Sequence, residues 1–407
     1  MLSASRARTS PSLAANAASR TSRLLMAWPV PALLWALGLA GQLSGASKLT
    51  LKGEIDASNL TGESPNLTPP EQVWGLAFSP DETQLAIGLG SHATSEPRIR
   101  TGHVVIVSAA QPEKVLHRFE IRGSAGFAIP GDLVWAPSGQ RLAVYTVEGT
   151  KVFSLDGEQI CGFHESVTLA GFLTGDRIVG YNRPDTTFVV HPPNCSVEDS
   201  WRTPDRFAFA LATCPEAGLV AVGWSSKPQA DSAGVEVVRY PGHDRIRQLA
   251  GSFGALGHNI LFADSCRLVC AGQRQDKGFA NHAICWEIST GEVAAEARSV
   301  TFGDIRDSFE AAGEEWVAST VYNVGCHEGR FWNFIDEAGC WERYKRLVVW
   351  SVRSGREVLS LDPPEQPIWM MRGDGKRITE PPAFTISASH AFLAEGGSGR
   401  VRVYGIH

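Results

Sequence analysis

From Val73 onward the chain repeats one local theme, and that repeat limits its fold more than any other feature. Val73-Trp-Gly-Leu-Ala-Phe78 is a strand-like run, Ser79-Pro80-Asp81-Glu82 a tight turn, and Gln84-Leu-Ala-Ile-Gly88 a second run. The turn carries Pro where φ must lie near about −65°. His103–Val107 and Lys114–Phe119 add a third and a fourth run. The same order returns at Asp132–Ala136, Pro137-Ser-Gly139, Arg141–Tyr145 and Thr150–Phe153. Further copies open at Val167, Phe207, Ile260, Ser308 and Ala383, which makes seven copies of three or four short strands. A four-stranded antiparallel sheet cannot bury both its faces alone. Stacking copies around an axis covers the faces, and ring closure protects the edges. The 41 Gly and 23 Pro among 407 residues are the turn formers such a chain needs, and they exclude a helical bundle. The 43% hydrophobic content excludes wholesale disorder.

The quoted motifs resemble a known family. Phe78-Ser-Pro-Asp81 before Leu85-Ala86, and Cys285-Trp286-Glu287-Ile-Ser-Thr-Gly-Glu292, are similar to the repeat of WD40-like (YVTN/TolB-like) β-propellers, and Trp350-Ser351-Val-Arg-Ser-Gly355 echoes the second. The resemblance covers residues 47–407. Glu287 and Ser351 stand where the family has Asp after Trp, and Gly242-His243 reads as its Gly-His pair. The resemblance implies an all-β, seven-bladed β-propeller. The last copy stops after three strands, and Lys48–Ile55 is a spare strand with Leu49 and Leu51 alternating. We expect that strand to complete the seventh blade and close the ring, removing two open edges together.

Residues 1–46 stand apart. Arg6, Arg8, Arg20 and Arg23 precede an apolar stretch from Leu24 to Leu39, and Ser44-Gly45-Ala46 supplies small residues. This is the pattern of a cleaved signal peptide, so the expected location is secreted or periplasmic, with no stable membrane span after cleavage. An uncleaved N-terminal anchor is the alternative, although about 20 apolar residues are needed to span. Losing four Arg and no acid lowers the basic count from 37 to 33 against 43 acids, and takes the net charge from −6 to −10. That balance excludes a typical nucleic-acid binder.

All 8 Cys lie between Cys161 and Cys340, an even count that fits disulfides in an exported chain. No C-x-x-C occurs, and Cys266-x-x-x-Cys270 has no second pair at zinc spacing, so no metal is expected. Cys270 sits in an apolar run that reads as a buried strand. No G-x-S-x-G, H-E-x-x-H or phosphate-binding glycine loop is present. No cofactor is expected either.

Loop lengths are polarised. The first-to-second and third-to-fourth turns are short. The long pieces are Leu89–Gly102, Trp224–Gly234, Gln273–His282, Tyr322–Lys345, Gly123–Gly131 and Asp362–Pro382. In an up-and-down sheet these all emerge on one face, where binding concentrates. The richest is the loop in which Cys326 and Cys340, the disulfide candidate, bracket Phe331 and Trp332, with Trp341 and Tyr344 following. Phe331, Trp332, Trp341, Trp369, His327 and Asp336 are the candidate binding residues, for an unknown protein or extracytoplasmic ligand. The aromatics form either a cap over the channel mouth or a recognition surface. The expected function is a binding scaffold. The alternative is a propeller enzyme or cofactor protein of hydrolase, lyase or quinoprotein type, with Asp304, Asp307, His327, Glu328, Asp336 and Glu337 as its acids and imidazole.

Overall fold

The computed structural model describes residues 48–61, 72–90, 101–122, 130, 132–146, 149–163, 167–182, 186–191, 195–202, 207–225, 233–251, 255–274, 281–298, 305–312, 316–326, 340–362, 369–371, 377–379, 383–397 and 399–407. Strand β1 (Leu49–Asp56) and the one-turn helix α1 (Ala57–Thr61) come first. Sheet one is β2 (Gln72–Phe78), β3 (Gln84–Gly90), β4 (Thr101–Ser108) and β5 (Val115–Arg122). Sheet two is β6 (Asp132–Trp135), β7 (Arg141–Thr146), β8 (Gly149–Ser154) and β9 (Gln159–Gly162). Sheet three is β10 (Val167–Leu173), β11 (Arg177–Asn182), β12 (Thr186–His191) and β13 (Ser196–Arg202). Sheet four is β14 (Phe207–Cys214), β15 (Leu219–Ser225), β16 (Ala233–Arg239) and β17 (Asp244–Gly251). Sheet five is β18 (Ala255–Ala263), β19 (Leu268–Arg274), β20 (Asn281–Glu287) and β21 (Val293–Arg298). Sheet six is β22 (Ile305–Ala312), β23 (Trp316–Cys326), β24 (Cys340–Ser351) and β25 (Glu357–Leu361). A two-stranded ribbon, β26 (Trp369–Met371) and β27 (Arg377–Thr379), follows. The last sheet is β28 (Ala383–Ile386), β29 (Phe392–Gly397) and β30 (Arg400–Ile406), with β1 antiparallel to β30.

Each sheet is an antiparallel meander, and the first strands pack in cyclic order. β2 lies by β6, β6 by β10, β10 by β14, β14 by β18, β18 by β22, β22 by β28, and β28 by β2. The apolar cores therefore sit between sheets, which is the propeller arrangement. Alternation in β3 shows how. Leu85 and Ile87 pack with Ile55, Leu60 and Val403 towards the last sheet, whereas Ala86 packs with Trp135 and Leu142 of sheet two. A strand buried on both faces must be apolar at every position, hence Leu-Ala-Ile-Gly-Leu.

Every four-stranded sheet carries one extra residue in its outer strand opposite the third, for example Leu116 in β5, Ile246 in β17 and Lys52 in β1. Such bulges deepen the twist and switch the inward face. In β1 the expected half-buried Leu49 and Leu51 are revised, and the bulge turns Ile55 to the face opposite Leu49. Leu49 packs with Leu347 and Phe384 towards sheet six, Leu51 is 51% exposed, and Ile55 is buried towards sheet one. Two further expectations are revised. Asp362–Pro382 holds the β26–β27 ribbon, and Tyr322–Lys345 is strand at both ends. Residues 1–47, the expected signal region, lie outside the described residues. Among the described residues no helix is long and apolar enough to cross a membrane.

Candidate functional site

The two ends of the sheets differ in kind. On the short-turn face, neighbouring sheets are fastened to one another at every boundary. Ser389 donates its backbone N–H and hydroxyl to the Glu82 carboxylate, joining the last sheet to the first. Trp135 Nε1 donates to the Ala77 carbonyl at 3.0 Å between sheets one and two. Asp176, buried in the first turn of sheet three, accepts from the Ser138 hydroxyl at 2.7 Å and pairs with Arg141 at 3.3 Å. Between sheets three and four His243 Nε2 lies 2.7 Å from Asp199, and its ring centroid lies 4.7 Å from that of Trp201. Asp264 pairs with Arg353 of sheet six at 3.8 Å. Trp316 stacks on His390 with centroids 4.3 Å apart, between sheet six and the last.

Disulfides add to this frame. Cys161–Cys195 joins sheets two and three, and Cys214–Cys266 joins four and five. Cys270–Cys285 links the direct cross-strand partners of β19 and β20, so the apolar run around Cys270 is the expected buried strand with a covalent tie. No cysteine spacing announced the first two pairings, because the partners come from different sheets, 34 and 52 residues apart. The Gly242-His243 reading is corrected. The pair lies in the short turn between β16 and β17, where His243, at φ 58°, reaches Asp199 of the neighbouring sheet. The substituted repeat positions keep a turn-holding role. Glu287 accepts from the Ser289 hydroxyl at 3.0 Å and pairs with Arg267 at 3.4 Å, and the Ser351 hydroxyl accepts from the Arg353 and Ser354 N–H groups.

The opposite face differs. β23 and β24 run beyond their own sheet. β22 pairs with β23 only as far as Val321, and β25 pairs with β24 only from Leu347. Among the described residues Tyr322–Cys326 and Cys340–Tyr344 pair only with each other, as a projecting ribbon. Trp341 stands opposite Gly325 in it, and Cys326 stands opposite Cys340. Trp369 stands opposite Thr379 in the second ribbon, whose β27 packs against β24. The structure thus brings the strands bearing Trp341 and Trp369 to one end of sheet six. Phe331, Trp332, His327 and Asp336 lie outside the described residues, as do Asp304, Glu328 and Glu337. The backbones of Asp307, Trp341, Trp369, Cys326 and Cys340 are described and their side chains are not.

No protein-family model and no curated protein matches the sequence. Among solved structures the chain is similar to the crystal structure of the Cps50 (Swd1) β-propeller domain of Myceliophteria thermophila, with a TM-score of 0.59 and 14% sequence identity. The match covers 88% of this chain and 100% of that one. At that identity the likeness establishes the fold alone.

Proposed function

We propose that this WD40-like β-propeller is an exported, seven-bladed ring closed by β1, acting as a binding scaffold through its long-loop face. One observation carries the reading. The short-turn face is committed to contacts between sheets, whereas sheet six sends a ribbon past its own sheet on the other face. A rigid frame that presents an aromatic loop is how a scaffold concentrates binding free energy in a few anchors. Phe331, Trp332, Trp341 and Trp369 are those anchors, with His327 and Asp336 as polar partners. The disulfides favour export, since such bonds persist in oxidising compartments. Residues 1–46 act as the signal peptide. Cys326 and Cys340 form the fourth disulfide, across the projecting ribbon, as Cys270 and Cys285 do across sheet five.

Site-specific photo-crosslinking tests the face. A crosslinker at Trp332 or Trp369 should capture a partner from the cell envelope or culture medium of the native host, and one at Asp81 or Ser138 should not. Equal capture from both faces would overturn the assignment.

A further inference from the structure

The Cys214–Cys266 bridge has an unusual neighbour. Cys214 ends β14 and is 1% exposed; Glu216 follows two residues later in the turn; Cys266 lies in the facing turn of sheet five. Glu216 Oε1 is 3.2 Å from Cys266 Sγ. A disulfide sulfur has no proton to donate, so this is not a hydrogen bond in the oxidised chain. The carboxylate is aimed at a sulfur that attracts it only once it is a thiol, or once a cation stands between them.

We propose that reduction of Cys214–Cys266 turns this junction into a site for a thiophilic divalent cation of the zinc class, with Cys214, Glu216 and Cys266 as ligands. Bonds of about 2.3 Å to sulfur and about 2.0–2.2 Å to oxygen place tetrahedral ligand atoms roughly 3.5–3.8 Å apart. The three ligand atoms already lie within 4.8 Å of one another. Opening the bridge lets the sulfurs separate to that spacing and releases the constraint on the turn that carries Cys266. Asp264, Ser265 and Cys266 hold φ of 51°, 48° and 65°, a left-handed run that non-glycine residues seldom adopt. Cys214 stays fixed at its strand end. Asp264, two residues before Cys266, is taken by Arg267 and Arg353 and stays outside the ligand set, so a water would complete four-coordination.

The chemistry balances through a thiol reductant. It supplies two electrons and two protons; the S–S bond breaks, two S–H bonds form, and the reductant leaves as its own disulfide. The cation then displaces both thiol protons and forms two thiolate bonds and one carboxylate bond. Bridge and metal site are therefore mutually exclusive states of the same two sulfurs.

Cobalt(II) titration of the full chain tests this, read by thiolate-to-cobalt charge-transfer absorption, with and without a phosphine reductant under anaerobic conditions. The oxidised chain should show no band, and the reduced chain should bind one ion at this site. The double variant Cys214→Ser/Cys266→Ser should lose that ion although the other cysteine pairs are reduced. Glu216→Gln changes an exposed side chain, so its fold should persist. It should keep the band and weaken cobalt and zinc at least tenfold. Retention of the tight ion in the double variant overturns the proposal. So does unchanged affinity in Glu216→Gln, including the case in which reduction unfolds the chain and binding becomes indifferent to Glu216.

Discussion

Two carboxylates show how opposite environments act on one residue class. Glu395 is 4% exposed, with Tyr404 donating to its Oε1 at 3.1 Å and the Arg402 guanidinium 3.7 Å from it, while among the described residues its Oε2 has no hydrogen-bond partner. Burial pushes its carboxyl above the usual range, and the Tyr404 hydrogen bond and the Arg402 charge only partly oppose this. Asp81 lies at the surface, and the Ser79 hydroxyl, with help from Thr83, holds its carboxyl below the usual range. The signs follow from linkage. The raised group favours folding most below its unfolded value of about 4.3, and that contribution is lost as pH rises through the folded value. The lowered group contributes above about 3.9, and its share is lost as pH falls. Glu395→Gln keeps an acceptor for Tyr404 and removes the buried charge. It should be close to neutral near pH 4 and stabilising by about 1 kcal/mol near pH 7. Melting curves of both proteins across that range check it, and a difference independent of pH would show that charge burial is not the cause. Two turn glycines separate conformation from crowding. Gly139 has φ 69° and open space where a Cβ would go, so Gly139→Ala should cost about 1 kcal/mol, the left-handed penalty alone. At Gly157, φ 83°, a Cβ would collide with that of Phe119 in sheet one. Gly157→Ala should therefore cost about 1–3 kcal/mol more. Equal losses in denaturant melts would mean that the turn yields.

β1 fastens the last sheet through both of its neighbours. Ile55 is buried, and just beyond the strand Ala57 and Leu60 wedge against sheet one. Glu54 pairs with Arg400 and Arg402 at 2.9 Å each. Those ion pairs are partly exposed and stabilise by no more than about 1 kcal/mol. Ile55 and Leu60 contribute about 1.5–3 kcal/mol each as an upper bound. Deleting Leu49–Thr61 should thus lower stability by about 3–6 kcal/mol, far more than Glu54→Ala. An unchanged melting temperature for the deletion would remove β1 from the closure. Elements of this kind were legible in the sequence because repetition amplifies a weak signal. Phe78-Ser-Pro-Asp81 and Trp135-Ala-Pro-Ser138 mark the same turn twice, and the strands on either side fall into place. The bulge at Lys52 was not legible, since an inserted residue turns Ile55 to the face opposite Leu49 without leaving any mark on the apolar pattern. The projecting ribbon was hidden for a related reason. Among the described residues Tyr322–Cys326 and Cys340–Tyr344 pair only with each other, so they lack the apolar density by which a strand covered on both faces announces itself.

For the molecule as a whole, the loop polarity read from the sequence points to the face on which β23 and β24 run past their own sheet. The clasps on the other face had no linear signature, since each joins residues far apart in sequence in neighbouring sheets, 38 positions for Ser138 and Asp176 and 307 for Glu82 and Ser389. The disulfides extend this division. Two of them fasten neighbouring sheets, the third, Cys270–Cys285, ties two strands of sheet five, and the two cysteines left, Cys326 and Cys340, stand opposite each other in the ribbon. Peptide mapping of the exported protein should find that pair oxidised, and free thiols there would refute the assignment. Closing such a loop of about 15 residues stabilises by about 3 kcal/mol in the chain-entropy model. That gain falls on the ribbon and not on the ring, so the global melting temperature should hardly move when only this pair is replaced. The sharpest test contrasts the two faces. Ser138→Ala removes the hydroxyl that Asp176 accepts from and should cost about 0.5–1.5 kcal/mol of stability, yet leave partner affinity alone. Trp332→Ala and Trp369→Ala should weaken partner binding more than tenfold, because truncating an interface anchor costs about 2 kcal/mol or more, while the ring melts as before. If the tryptophans served only to pack on each other, both variants would melt earlier, and the folded fraction would bind with unaltered affinity. Melting temperature and affinity measured on the same three variants separate these outcomes, and a Ser138→Ala variant that loses binding without losing stability would move the functional surface to the clasped face.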